Sequence, residues 1–362
     1  MKNRVLVGAL CAALAAVSLA HSQTDAAPTD AAVETRYSLG VIDDATFYSD
    51  QAKMLPSTLN RVLLEPSFAV RYRNRYSLST SLIGNTTTHY GTATQMLVRE
   101  AYAGISAGDL DLTAGRKLVR WGTGYAFTAA GVLDPPRVAT DPSDRLNLNE
   151  GRDMLKADLV HGKHAATLAW STAALARRGS HMHDTVAFRY NVLVFGFDSA
   201  MIAGSDRKGD SFGALTFTRV LGQAWEAHGE MAWREHPAVV MGGKYTMHNG
   251  ITCIGEVFTA PNTPYYRHGS VSPTAGRQNY AFLNASKSRL LERPGWKEWD
   301  ISGGMVANLG DRSVAGVLDV SRWFGKHVSA YTHLELPSGS SHSDYGSAPY
   351  RAATSLGIRF HL

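Results

Sequence analysis

Between Leu97 and Phe127 the chain reads LVREAYAGISAGDLDLTAGRKLVRWGTGYAF, a stretch that sets a carboxylate near several bases. With a tight turn centred on Ala107 to Asp109, Glu100 falls opposite Gly115, Arg116 or Lys117 on the following strand. A cross-strand ion pair is costly against an apolar medium, so this one belongs on a wet face. Parity is uneasy here, because Leu110, Leu112 and Leu118 share a face with Arg116 and Arg120. A bulge at Gly115-Arg116 would resolve it by switching sides.

The next stretch, 122 to 151, carries Asp134, Arg137, Asp141, Asp144 and Arg145 beside three prolines. Two readings stay open for it: charged groups that narrow a passage, or an exposed loop rich in turn residues. Gly122-x-Gly124 is too short for a phosphate-binding fingerprint and lacks a strand-to-helix context, so it reads as backbone freedom. His181 and His183 share a strand face, but no third ligand accompanies them and no metal is expected. A Gly-x-Ser-x-Gly elbow is absent, which leaves a hydrolase as a remote alternative and the expectation of no catalytic residue and no cofactor.

Few scaffolds could position these groups. The first residues, MKNRVLVGALCAALAAVSLA, have two bases ahead of a short apolar run, as in a secretory signal peptide assigned here to 1–22. A polar, alanine-rich spacer at 23–33 is expected to be disordered, and 34–362 to form one domain. Loss of Cys11 with the leader leaves Cys253 alone, so no internal disulfide forms. Removing Lys2 and Arg4 lowers the formal charge from +5 to +3, which gives nucleic-acid binding little support. Mean hydropathy is slightly negative, at −0.16, and no second run of about 18 apolar residues occurs.

Alternation supplies the missing hydrophobicity. From Val62 to Tyr72 the even positions are Val, Leu, Pro, Phe, Val and Tyr, whereas the odd positions hold Glu65, Ser67 and Arg71. Residues 225 to 234 set Trp225, Ala227, Gly229, Met231 and Trp233 against Glu226, His228, Glu230, Ala232 and Arg234. The two tryptophans lie roughly 20 Å apart along the normal of a tilted strand, close to the height of an apolar band. The chain ends as YRAATSLGIRFHL, with Leu356, Ile358, Phe360 and Leu362 on one face; such an end strand is safe only if the sheet closes. Tight turns at 73–74, 108–109, 162–163, 222–223, 249–250 and 325–326 alternate with longer polar connections. The pattern predicts an all-β fold, a transmembrane antiparallel up-and-down β-barrel of about 18 strands, or 16 if 278–288 and a neighbour are loop. A secreted sandwich, propeller or solenoid shares the alternation and is the soluble alternative.

Two stretches resemble known families. The last strand is similar to the C-terminal assembly signal of bacterial outer-membrane barrels, and 97–127 resembles a porin-like segment with a Glu-x-Tyr strand, a Gly-Asp turn and a Gly-Arg strand ending in Trp-Gly. The resemblance implies a Gram-negative outer-membrane location, barrel-assembly machinery and lipid as partners, and either diffusion of small hydrophilic solutes or export of lipid or polysaccharide. It also implies that 122–151, as third outer connection, folds inward as a constriction loop. The expected lumen wall then carries Arg71, Arg73, Arg75, Glu100, Arg116, Lys117, Arg120, Glu226 and Glu230, with Glu65, Asp158, Glu256, Asp300 and Glu335 on the same faces. Such mixed charge suits polar solutes better than strong ion selection. The arginines at 71, 73 and 75 could instead anchor headgroups, and a homo-oligomer is open.

Overall fold

The computed structural model describes residues 33–49, 56–172, 184–206, 209–234, 236–261, 277–291, 293 and 295–362. The leader, most of the spacer and the His181–His183 pair lie outside them. The first nine strands are β1 (Val33–Ser49), β2 (Thr58–Tyr72), β3 (Tyr76–Thr88), β4 (Thr92–Ala107), β5 (Leu110–Lys117), β6 (Arg152–His161), β7 (His164–Ser171), β8 (Thr185–Val194) and β9 (Phe197–Asp206). The other nine are β10 (Ser211–Leu221), β11 (Trp225–Arg234), β12 (His236–Thr246), β13 (Thr252–Pro261), β14 (Arg277–Lys287), β15 (Trp299–Asn308), β16 (Ser313–Phe324), β17 (Val328–Ser338) and β18 (Ala352–His361).

Each strand pairs antiparallel with its neighbours in sequence, and β18 pairs with β1 from Gly40↔His361 to Ser49↔Ala352. The sheet is thus a closed barrel of eighteen strands, and β14 is one of them, which excludes the count of sixteen. Closure answers the apolar C-terminus: the backbone of Leu362 bonds in both directions to Leu39, so the end strand has no free edge there.

Alternation becomes geometry without a break in most strands. Leu64, Phe68, Leu215, Met231, Leu318, Leu356 and Ile358 point outward and are exposed, while their sequence neighbours point in. Trp225 and Trp233, 56% and 40% exposed, stand at opposite ends of β11 on that outer face. All six tight turns read from the sequence lie at the end where β1 begins and β18 ends, here the near end. Arg73, Asn74, Gly108, Gly162, Gly222, Gly250 and Gly325 have positive φ there, as tight hairpin connections require. The Phe195-Gly196 hairpin, with φ of 50° and 77°, was hidden because Phe is not a turn residue.

Two expectations are corrected. Pairing of β4 with β5 and of β5 with β6 runs through Gly115 and Arg116 without a shift, so no bulge lies there. The irregularity is on β4 instead, where Ser81 pairs with Glu100 and Leu82 with Val98, leaving Arg99 as the extra residue. Gly115 has φ +125°, and a Cβ would collide with the Ala101 carbonyl oxygen. Nor is the inner face uniformly polar. Toward the far end it carries a band of buried alanines, among them Ala169, Ala187, Ala214, Ala232, Ala238, Ala260 and Ala315, which leave room inside for another piece of chain.

Replacing Gly115 with Ala should lower stability by about 2 kcal/mol, because an L side chain has neither the φ nor the space there. Urea unfolding of the refolded barrel, followed by tryptophan emission, measures the loss.

Candidate functional site

The piece of chain that fills this space is 118–151, which leaves β5 at the far end and turns into the barrel. Its amides would be stranded inside a barrel without partners. Two wall carboxylates and one of the segment's own supply them. Glu230, from the middle of β11, accepts from the amides of Thr123 (2.5 Å), Gly124 (2.8 Å), Ala129 (2.6 Å) and Ala130 (2.8 Å) and from the Thr128 hydroxyl (3.0 Å). Glu256, from β13, accepts from the amides of Tyr125, Ala126 (2.8 Å) and Phe127 (3.2 Å) and faces His228 Nε2 at 2.9 Å. Asp134 accepts from the amides of Trp121 (2.6 Å) and Gly122 (3.1 Å). Both glutamates are buried, as is Asp134, and none could be so without these donors.

Sequence and geometry match closely in this turn. A Cβ on Gly122 would strike the Thr128 hydroxyl, and one on Gly124 the Phe127 carbonyl oxygen. The Gly-x-Gly pair therefore serves close approach of the backbone to carboxylates, not to a phosphate. Small residues follow, so Ala126, Ala129 and Ala130 fit the alanine band of the wall. Phe127 is a large insertion beside Trp121 and Leu133; its ring stacks on Phe258 at 5.3 Å and lies 5.8 Å from Tyr280.

The returning limb is fastened to the opposite wall. Arg145 pairs with Asp44 of β1 at 3.0 Å and with Asp141 at 3.5 Å, and Tyr331 of β17 donates its hydroxyl to the same Asp44 at 2.8 Å. Arg359 of β18 donates to the Arg145 carbonyl at 2.5 Å. Leu146 enters a second apolar cluster with Ile42, Leu63 and Ile83. The bulge on β4 turns Arg99 inward to Glu65 (2.8 Å) and to the Asn147 carbonyl, while Glu100 accepts from the Leu118 amide at 2.9 Å. Segment 118–151 thus crosses the lumen from one wall to the other. Beside it lies a cavity of about 470 Å³ bordered by Tyr125, Arg145, Asn284, Asp319, Tyr331 and Arg359, among other residues.

The predicted site residues distribute as follows. Glu226 and Glu230 are on the inner wall, and Glu226 meets Lys244 (3.0 Å) and the Tyr125 hydroxyl (2.8 Å). Arg137 donates to the Gly122 carbonyl at 3.0 Å and lies 3.4 Å from Asp134, so it is committed to the segment's own turn. Asp144 binds Asn149 (2.7 Å) and stands 3.8 Å from Arg120, which is 61% exposed on the segment rather than on a strand. Arg71 and Lys117 border a hollow of about 290 Å³ near the near end, where Lys117 lies 4.4 Å from the Tyr102 ring.

Three residues stand elsewhere than expected. Glu100 does not pair with Arg116; that guanidinium grips Asp153 of β6 at 2.7 and 3.0 Å, on the parity of the outward Leu112 and Leu155. Arg73 and Arg75 lie in the three-residue near-end turn over the outward rings of Tyr72 and Tyr76, at 5.1 and 5.6 Å, because the turn pushes its side chains off the wall. Sequence reading placed Glu256 and His228 on the inner face without a role, and it passed over Asp44 and Arg99. Asp44 was hidden by its neighbour Asp43, and Arg99 by a bulge that breaks the alternation.

Burial pushes the Asp134 carboxyl above the usual carboxylate range, against the pull of its two amide donors and Arg137. The folded chain therefore holds a proton there more tightly than the unfolded chain, and this group favours folding more at low pH than at neutral pH. Burial likewise raises the Tyr125 phenol, which stays a neutral donor to Glu226. Among the described residues no group of three or more His, Cys, Asp or Glu is arranged to hold a metal.

No protein-family model matches this chain, and no curated protein matches it. Solved structures do. Pseudomonas aeruginosa OccK11 (OpdR) aligns at TM-score 0.62 and 10% identity over 91% of this chain and 96% of its own. OccK5 (OpdH) of the same organism aligns at 0.62 and 8%, over 91% and 98%. Escherichia coli Wzi, described as an outer-membrane protein involved in group 1 capsule assembly and a carbohydrate-binding β-barrel, aligns at 0.56 and 9%, over 89% and 84%. At such identities the likeness concerns the barrel fold.

Glu230→Gln keeps the shape but turns an amide NH₂ toward the donors of the segment. The exchange of amides 123–130 should then accelerate by roughly 100-fold, while β16–β18 keep their protection. Hydrogen–deuterium exchange read by mass spectrometry reports both.

Proposed function

We propose that this chain is an outer-membrane barrel through which small hydrophilic solutes diffuse, with segment 118–151 setting the width and charge of the passage. One observation carries the reading: the lumen is crossed by a charged segment fixed to buried wall carboxylates, beside a cavity of about 470 Å³ lined by both signs of charge. The outward apolar belt, closure without an edge and the likeness to Wzi support the location. In this reading the near end faces the periplasm, Asp134 and Arg137 hold the turn of the constriction, and Asp141, Asp144 and Arg145 border the route. Lipid, the barrel-assembly machinery and the permeating solutes are its partners, further copies of the chain are an open addition, and the chain performs no chemistry of its own.

A second reading has an observation of its own. Apolar clusters seal the segment to both walls, which suits a barrel that works in export or assembly of lipid or polysaccharide rather than standing open. Planar-bilayer recording separates the two. Purified protein should show steady unitary conductance, and replacing Glu230 and Glu256 together with Gln should raise it as the segment loosens. Silent membranes with correctly folded protein would turn the assignment to the second reading.

Charge at the constriction gives a finer expectation. Asp141→Asn, which leaves Arg145 facing only Asp44, should shift reversal potentials in a salt gradient toward anions without altering the far-UV spectrum.

A further inference from the structure

The barrel wall carries a second feature, on the outer face, that the passage does not use. β16 sends Val320, Arg322 and Phe324 outward, and Arg322 is only two residues from the strand's near end. Its guanidinium lies 5.4 Å from the Trp299 ring and 4.9 Å from the Phe324 ring. Its Nε is buried with no hydrogen-bond partner, and among the described residues no carboxylate lies within ion-pair distance. Among the described residues the one acid on the same face nearby is Asp43, on the same pairing row through Ala330 and Ile358. Three strand spacings, about 14 Å, keep it from neutralising the arginine.

Arg322 lines a groove of about 470 Å³ together with Trp299, Val320, Ala330, Leu356 and Ile358, and Asp43 lines it three strands away. A cation held between two aromatic rings at the level of the near-end rim, beside the apolar side chains of Val320, Ala330, Leu356 and Ile358, has the two halves of one ligand chemistry. We propose that this groove binds a phospholipid of the periplasmic leaflet, its phosphate on Arg322 and one acyl chain along Ala330 and Ile358. Guanidinium suits the phosphate because it offers several donors at once, and Trp299 and Phe324 hold it ready. The site rests on the proposed membrane location and orientation and is independent of whether the lumen conducts.

Delipidated barrel in detergent, incubated with dioleoylphosphatidylethanolamine and analysed by native mass spectrometry, tests the assignment. Wild-type protein should keep one phospholipid, and Arg322→Gln should weaken its retention by about tenfold with unchanged heat-modifiability and unchanged bilayer conductance. Trp299→Leu, which removes one ring and keeps the charge, should give a smaller loss. Equal retention by wild type and Arg322→Gln would overturn the site. So would a detergent-stable dimer that carries no lipid, since a second copy would then cover the groove.

Discussion

A buried carboxylate and an unpaired amide each cost several kcal/mol inside a barrel, and in this molecule each removes the cost of the other. Glu230 and Glu256 point inward from the middle of β11 and β13, where no strand pairing can satisfy them. The backbone from Thr123 to Ala130 enters the same space with its amides free of secondary structure. Brought together, the carboxylates accept from almost every amide of the turn, so a stretch with no sheet partner is as fixed as a strand. Removing either side leaves the other exposed to its full desolvation penalty.

The wall is shaped for this insertion. Alanines at matching depth on strands β7 to β16 open a band, and the glycines of the turn bring the main chain within reach of the carboxylate oxygens. On the far side, the β4 bulge turns Arg99 inward to hold the return, and Asp44 gathers Arg145 and Tyr331 at one point. Each device is local, yet together they decide the bore and charge of whatever passage remains. The lumen is therefore defined by the segment as much as by the strand number.

Much of the fold was legible because a barrel wall must alternate, close and turn tightly at one end. Trp225 to Arg234, the six near-end turns and the C-terminal strand all carried that requirement in their residue types. The inward path of 118–151 was legible only by position and resemblance, since its holding groups are amides, which every residue has. The roles of Glu230 and Glu256 were equally silent: an inner-face glutamate looks the same whether it meets water or a backbone. Arg99 was hidden because a bulge shifts parity without leaving a residue type to mark it, whereas Gly115–Arg116 misled because Arg116 keeps the outward parity of Leu112 and finds its partner in Asp153.

The central claim is that this segment lies within the barrel against β13. Phe127 and Phe258, whose rings stack at 5.3 Å, report it directly. In a Cys253→Ser background, Phe127→Cys together with Phe258→Cys should be joined intramolecularly by a short bismaleimide in the folded, membrane-reconstituted protein. A pair that stays unlinked while a bulky water-soluble maleimide labels position 127 freely would place the segment outside the lumen and contradict the account.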